Sequence, residues 1–279
     1  MSLTSLLVAN RGEIAVRILR ASGEAGLRTV SVYSEDDSSA LHVRMADESR
    51  PLPGVGAKSY LDAELIVKEA CAAGCGAVHP GYGFLSESPG FALLCEENSL
   101  VFVGPTPEQL KLFGDKLAAR AHASACGVPV ARGTEESTSL KEALTFLKSL
   151  GEGGAMMIKA VAGGGGRGIR EVHDGDDAES AYERCRSEAL RFFGNDDVYV
   201  EELISHARHI EVQVVGDGTG SVIHLGEREC SLQRQRQKLI EIAPCPGLSE
   251  GLRRRLAEAA TRLAGRVKYK SLGTFEFLV

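Results

Sequence analysis

The stretch Met156-Met157-Ile158-Lys159-Ala160-Val161-Ala162-Gly163-Gly164-Gly165-Gly166-Arg167-Gly168-Ile169 constrains the chain most. An apolar run is interrupted by one lysine and then opens into near-continuous glycine, which reads as strand, loop, strand. Glycine lets backbone N–H groups turn toward an anion with no side chain in the way, and the lysine sets a positive charge beside them. That pairing suits a nucleotide phosphate. A plain surface loop is the competing reading, but a lysine within an apolar strand needs a partner, which weighs against it. Two common phosphate motifs are excluded. The lysine precedes the glycines, unlike Gly-x-x-x-x-Gly-Lys-Ser/Thr, and no Gly-x-Gly-x-x-Gly follows a first strand.

The stretch lies mid-chain in 279 residues, a length for two or three domains. A net charge of −6 disfavours a general nucleic-acid or anionic-membrane binder. No apolar run approaches the ~18 residues needed to span a bilayer. Residues 5–10 have no basic lead-in and read as a strand rather than a leader. Seven cysteines are scattered without any Cys-x-x-Cys pair, which favours reduced thiols and a cytoplasmic protein over a zinc site or disulfide framework.

Residues 1–115 alternate strand and helix. Strands are predicted at 6–9, 29–33, 76–79 and 100–103, with helices at 13–25 and 60–73. The class is α/β, with a Rossmann-like parallel sheet covered on both faces and ligands expected beyond the carboxyl ends of its strands. Two turns there are suggestive: Asn10-Arg11-Gly12-Glu13 and His79-Pro80-Gly81-Tyr82-Gly83-Phe84-Leu85-Ser86-Glu87. A long connecting helix is predicted over 106–126. Residues 116–203 then form a small unit with the glycine loop, a helix near 176–191 and a strand at 198–202. Residues 204–279 begin a third, with a hairpin of 209–215 and 221–229, a helix at 249–267 and a final strand.

Strand alternation places His209, Glu211 and Gln213 on one face and Ile210, Val212 and Val214 on the other. If 233–238 is extended, Arg234, Arg236 and Lys238 form a row of cations. Such a row is either an exposed basic edge or a groove for phosphate and a second small anion. In the last strand Thr274, Glu276 and Leu278 share one face, while Phe275, Phe277 and Val279 cover the core. A lone glutamate facing a nucleotide is a candidate magnesium ligand. His42, His122, His173 and His224 read as surface or satisfied core residues.

Six stretches, in this order, resemble the ATP-grasp biotin carboxylase component of the biotin-dependent carboxylases. They are Val8-Ala9-Asn10-Arg11-Gly12-Glu13-Ile14-Ala15, the His79 to Glu87 turn, Gly114-Asp115-Lys116, the Lys159 to Gly168 loop, Glu229-Cys230-Ser231-Leu232-Gln233-Arg234, and Gly273-Thr274-Phe275-Glu276-Phe277-Leu278. The resemblance implies a biotin carboxylase N-terminal domain (1–115), a linker helix and ATP-grasp α+β lid (116–203), and the first part of an antiparallel ATP-grasp sheet (204–279). It implies a ligase forming a C–N bond: ATP, bicarbonate and biotin give carboxybiotin, ADP and phosphate through carboxyphosphate.

Residue by residue, the resemblance assigns Lys116 and Lys159 to the α- and β-phosphates, and Gly164, Gly165 and Gly166 to closure over them. Glu201, Glu202 and Ile204 form the adenine hinge, His209 and Gln233 meet the ribose side, and Leu278 packs under the base. Lys238 sits at the γ-phosphate and bicarbonate, and Glu276 binds Mg²⁺ or Mn²⁺. The family often has Arg-His where this chain has Gln235-Arg236, so Arg236 is expected to keep a phosphate or ribose contact. The implied partners are a biotin carrier and a carboxyltransferase, fused or separate, in a homo-oligomeric parent protein. The family's Glu-x-Asn metal motif, catalytic arginine, bicarbonate base and biotin-facing arginine have no counterparts here. The sequence therefore resembles the amino-terminal part of such a component, expected to bind MgATP and turn over poorly alone. Two other readings compete: a different ATP-grasp ligase joining a carboxylate to an amine, and a non-catalytic nucleotide-binding module.

Overall fold

Leu6, Leu7, Val8 and Ala9 are all buried. Successive side chains of a strand face opposite sides, so a continuous apolar run needs cover on both. Leu6 and Val8 pack with Ala15, Ile18 and Leu19, whereas Leu7 and Ala9 join Val30, Val32, Ile66 and Phe91 in a second core. The computed structural model describes residues 3–163, 167–173 and 175–279. Within it the chain divides into two units, Met1–Lys111 and Leu112–Val279.

The first unit runs β1 (Ser5–Val8), α1 (Gly12–Glu24), β2 (Arg28–Ser34), α2 (Leu41–Met45), β3 (Glu48–Leu52), α3 (Ala63–Ala72), β4 (Ala77–His79), α4 (Pro89–Glu97) and β5 (Val101–Phe102). The sheet order is β3-β2-β1-β4-β5, parallel throughout, as the alternation predicts. Sequence patterning does not find β3, because Glu48, Arg50 and Pro51 are poor strand formers. An edge position tolerates them. At the carboxyl end of β1 the two suggestive turns meet. Asn10 Nδ2 donates to Pro80 O and Tyr82 O at 2.7 and 2.8 Å, and Tyr82 OH donates to Glu13 at 2.6 Å.

The predicted helix at 106–126 is two helices, α5 (Pro107–Gly114) and α6 (Lys116–Ala125). Asp115 between them is extended, at φ −99° and ψ 112°, and its carboxylate accepts the N–H groups of Leu117 and Ala118. An aspartate N-cap satisfies the donors of a new helix, so a second helix starts where apolar periodicity alone reads through.

Three strands of the second unit form an antiparallel sheet, β7 (Ile169–Val172), β6 (Met156–Ala160) and β8 (Val198–Glu202), with β6 central. Helices α7 (Leu140–Ser149) and α8 (Ala178–Phe193) cover it through Ala143, Leu147, Tyr182 and Cys185. The other sheet has the order β11-β10-β9-β12, from β9 (His209–Asp217), β10 (Val222–Arg234), β11 (Gln237–Ile242) and β12 (Lys270–Leu278). On one of its faces Ile210, Val212 and Val214 pack against Leu256, Ala260 and Ala264 of α9 (Glu250–Arg266). Phe275 and Phe277 of β12 join this core as expected, but Val279 is 38% exposed and exchanges backbone hydrogen bonds with Arg208 instead. Among the described residues no helix is long and apolar enough to cross a membrane, and all seven cysteines are free.

Candidate active site

Alternation along β6 packs Met156 and Ile158 into the α7–α8 core, buries Ala160 on the same face, and turns Met157 and Lys159 the other way. Those two line a cavity of about 870 Å³ within the second unit, bounded also by residues of β7, β8, β9, β10, β11 and β12. The partner that Lys159 requires is Glu201, from the adjacent strand. Glu201 is buried, and also accepts from Arg120 at 3.2 Å and from Tyr199 OH at 3.1 Å. One buried carboxylate with three donors meets the condition under which a desolvated ion pair is tolerable.

Lys116, at the first turn of α6, donates to Ala160 O at 2.8 Å and Gly163 O at 2.6 Å. It does not line the cavity; its ammonium is held at the root of the glycine loop. Burial, then the charge of Lys159, lowers its pKa to about 8. Gly164, Gly165 and Gly166 lie outside the described residues.

At the other end, Lys238 of β11 binds the Glu211 carboxylate and donates to Glu276 Oε1 at 2.7 Å. Burial alone would depress this lysine. The two carboxylates outweigh it and leave Lys238 above the ordinary lysine range. Glu276 is held down at about 2, first by the His209 ring and then by Lys238, against the opposing effect of burial. His209 Nε2 lies 3.4 Å from Glu276 Oε1 without an aligned hydrogen bond, and Gln233 Nε2 meets His209 Nδ1 at 2.7 Å.

The cavity thus collects Lys159, Glu201, Glu202, Ile204, His209, Gln233, Arg236, Lys238, Glu276 and Leu278 from the residues singled out in the sequence. The row of Arg234, Arg236 and Lys238 does not form. β10 ends at Arg234 and β11 begins at Gln237, with Gln235 and Arg236 making a two-residue turn between the paired residues. Arg234 is exposed, Arg236 reaches Glu171, and Lys238 points to Glu211 and Glu276.

Sequence reasoning missed the role of Glu211 and its second partner, Arg228, whose Nε donates to it at 2.6 Å. The two are cross-strand neighbours only because the β9–β10 pairing shifts register between His224 and Glu227. A regular hairpin drawn through residues 216–220 would not place them opposite each other.

The donor set can be tested against a divalent cation. Ligand atoms of His209, Glu211 and Glu276 lie within 4.8 Å of one another. The Glu211 side chain is 3% exposed and committed to Arg228 and Lys238, whereas that of Glu276 is 56% exposed. Magnesium usually takes one or two carboxylates and completes its shell with phosphate oxygens and water, so Glu276 fits. A second cluster, Glu211, Cys230 and Glu241, includes a thiol that does not suit this ion.

Comparison with known proteins agrees along the whole chain. Residues 2–110 match the family described as biotin carboxylase, N-terminal domain, and residues 115–279 that described as carbamoyl-phosphate synthase L chain, ATP binding domain. The pyruvate carboxylase of Bacillus subtilis is 50% identical over 283 residues, covering 100% of this chain and 24% of the relative. The biotin carboxylase of Nostoc sp. is 45% identical over 281 residues, covering 100% and 62%. Among solved structures, the biotin carboxylase-βγ-ATP complex from Campylobacter jejuni superposes with a TM-score of 0.96 at 44% identity, covering 100% of this chain and 62% of that one. The biotin carboxylase domain dimer of Hydrogenobacter thermophilus 2-oxoglutarate carboxylase, in complex with MgADP, ADP and bicarbonate, gives 0.94 at 42% identity, covering 100% and 61%. The chain therefore spans 24% of the length of the pyruvate carboxylase and 62% of that of the biotin carboxylase. A parallel α/β unit followed by an antiparallel ATP-grasp portion, matched along its length in both sequence and structure, belongs to the biotin carboxylase family of the biotin-dependent carboxylases.

Proposed function

We propose that this chain supplies the MgATP-binding part of a biotin carboxylase, which carboxylates biotin at the expense of ATP and bicarbonate. Bicarbonate oxygen attacks the γ-phosphorus, ADP leaves, and the carboxyphosphate formed delivers CO₂ to N1′ of biotin with release of phosphate. Little covalent chemistry falls to the protein in such a step; its work is positioning and charge neutralisation.

One observation carries the reading: two lysines and a low-pKa carboxylate, from three different strands, converge on one cavity of nucleotide size. Lys159, with Lys116 at the loop root, neutralises the α- and β-phosphates, and Gly164, Gly165 and Gly166 contribute to the same phosphate site. Glu201, Glu202 and Ile204 form the adenine hinge, with Leu278 under the base and His209 and Gln233 beside the ribose. Lys238 meets the γ-phosphate and bicarbonate, and Arg236 a phosphate or ribose oxygen. Glu276 would hold Mg²⁺, which when bound neutralises charge on the transferring phosphoryl group. Lys238 then exchanges its bond with Glu276 for one with phosphate, while Glu211 keeps it in place.

Residues 116–203 act as linker helix and lid, and 204–279 as the first part of the central domain. In the parent protein, a homo-oligomer, a biotin carrier presents the acceptor and a carboxyltransferase takes the carboxyl group onward. Calorimetric titration tests the nucleotide site. The chain should bind one MgATP saturably, and Glu276→Gln should remove the gain that Mg²⁺ gives over metal-free ATP. Absence of binding at millimolar MgATP refutes the reading.

A further inference from the structure

Arg236 is held in an uncommon way. It and Gln235 form the entire loop between the paired residues Arg234 and Gln237, at φ 65° and 49° respectively. Two-residue hairpin loops with positive φ at both positions normally use asparagine and glycine, because other residues are strained there. Strain of this kind persists only where the surroundings over-determine it. Here the surroundings are the other sheet. Arg236 Nη2 donates to Glu171 Oε1 at 2.6 Å, and Nη1 lies 3.7 Å from Met157 Sδ. Glu171 and Met157 are cross-strand register partners on β7 and β6, so they present one carboxylate and one thioether side by side to the guanidinium. The second oxygen of Glu171 faces His173 Nε2 at 3.4 Å. All three residues, Met157, Glu171 and Arg236, line the 870 Å³ cavity.

This arrangement sets a competition. An arginine held by a carboxylate has part of its fork and its charge already committed, and a bidentate guanidinium–phosphate contact is among the stronger charge-assisted pairs. Resting on the nucleotide site proposed above, we infer that Glu171 is a positioning residue for Arg236. It holds the guanidinium against the β6–β7 wall of the cavity, and an incoming triphosphate gains Arg236 only by drawing it off Glu171. Glu171 thereby weakens resting affinity for the nucleotide and ties the two sheets together while the cavity is empty.

The test is a double-mutant cycle read by calorimetric titration of the 279-residue chain with MgATP, with thermal melts as a folding control. Glu171→Gln should tighten MgATP binding about two- to fivefold, the range expected for a partly exposed ion pair. Glu171→Asp, which keeps the anion within reach, should return affinity toward that of the parent chain. Arg236→Gln should weaken binding, and Glu171→Gln should have no further effect in that background, since Glu171 acts only through Arg236. Unchanged affinity in Glu171→Gln, or an effect of it that persists beside Arg236→Gln, overturns the inference while leaving the nucleotide site standing. Failure of the unsubstituted chain to bind MgATP refutes the site itself, and the inference with it.

Discussion

Lys116 and Lys238 carry the same ammonium group into two regions of the second unit, and those regions move it in opposite directions. At the glycine-loop end Lys116 meets backbone carbonyls and the charge of Lys159, and its pKa falls to about 8. At the β11–β12 end Lys238 meets two carboxylates, and its pKa rises. Burial disfavours both cations, so depth alone does not decide the outcome. What decides it is whether compensating charge is already present. The β11–β12 end is electrostatically complete without a ligand. The loop end is left short of negative charge, which a polyphosphate would supply.

The comparison breaks most visibly at Glu211. Its side chain is 3% exposed, and it neutralises both Arg228 and Lys238. Removing one partner of a buried ionic cluster leaves charge uncompensated and costs about 3–5 kcal/mol. Glu211→Ala should therefore lower unfolding free energy by about that amount in urea titrations. A loss below about 1 kcal/mol, the level of an exposed pair, would mean that Arg228 and Lys238 are stabilised from elsewhere.

At the loop end the expected effect is a pH dependence. Below pH 8 Lys116 is protonated in both folded and unfolded chains, and its burial cost is present in full. Between the folded value of about 8 and the unfolded value of 10.5 the unfolded chain binds more protons, so stability rises with pH. Lys116→Met should abolish this component of the slope without destabilising the chain at pH 7. Phosphate favours the charged form, so MgATP binding above pH 8 should take up a fraction of a proton, seen as a buffer-dependent binding enthalpy. Binding enthalpies independent of buffer would place the Lys116 ammonium away from phosphate.

The two ends were not equally legible in the sequence. Lys159, the strand at 198–202 and the alternation of Glu276 and Leu278 could be read directly, because each depends on periodicity within one strand. Most of the parallel sheet was legible for the same reason, β1 and β4 lying in apolar runs and β2 alternating, whereas the polar edge strand β3 was not. Pairing between elements was not. Glu211 and Arg228 meet through a register shift, and Arg236 meets Glu171 because a turn interrupts what looked like a basic strand. Nor does composition show that Glu201 would pair with Lys159, since their adjacency depends on the pairing of β6 with β8. The family resemblance named several of these residues without saying what they touch, and the touching sets their charge.

The smallest expected effect sharpens the comparison at Asp115. Its carboxylate caps α6 by accepting from Leu117 and Ala118 at 2.9 and 3.0 Å, and Lys116 is the first residue of that helix. Position 115 also forms an isolated bridge with Ala162, and Lys116 N donates to Val161 O at 3.0 Å, so the cap fixes α6 against the root of the glycine loop. Losing a side-chain N-cap costs about 1 kcal/mol. Asp115→Ala should cost that much stability and weaken MgATP binding through misplacement of Lys116, whereas Asp115→Ser, which restores a capping oxygen without the charge, should recover most of both. The serine variant separates capping from charge. If affinity stays low while stability returns, the negative charge of Asp115 beside Lys116 matters in itself, because it is among the few influences that raise the pKa of this lysine toward its ordinary value.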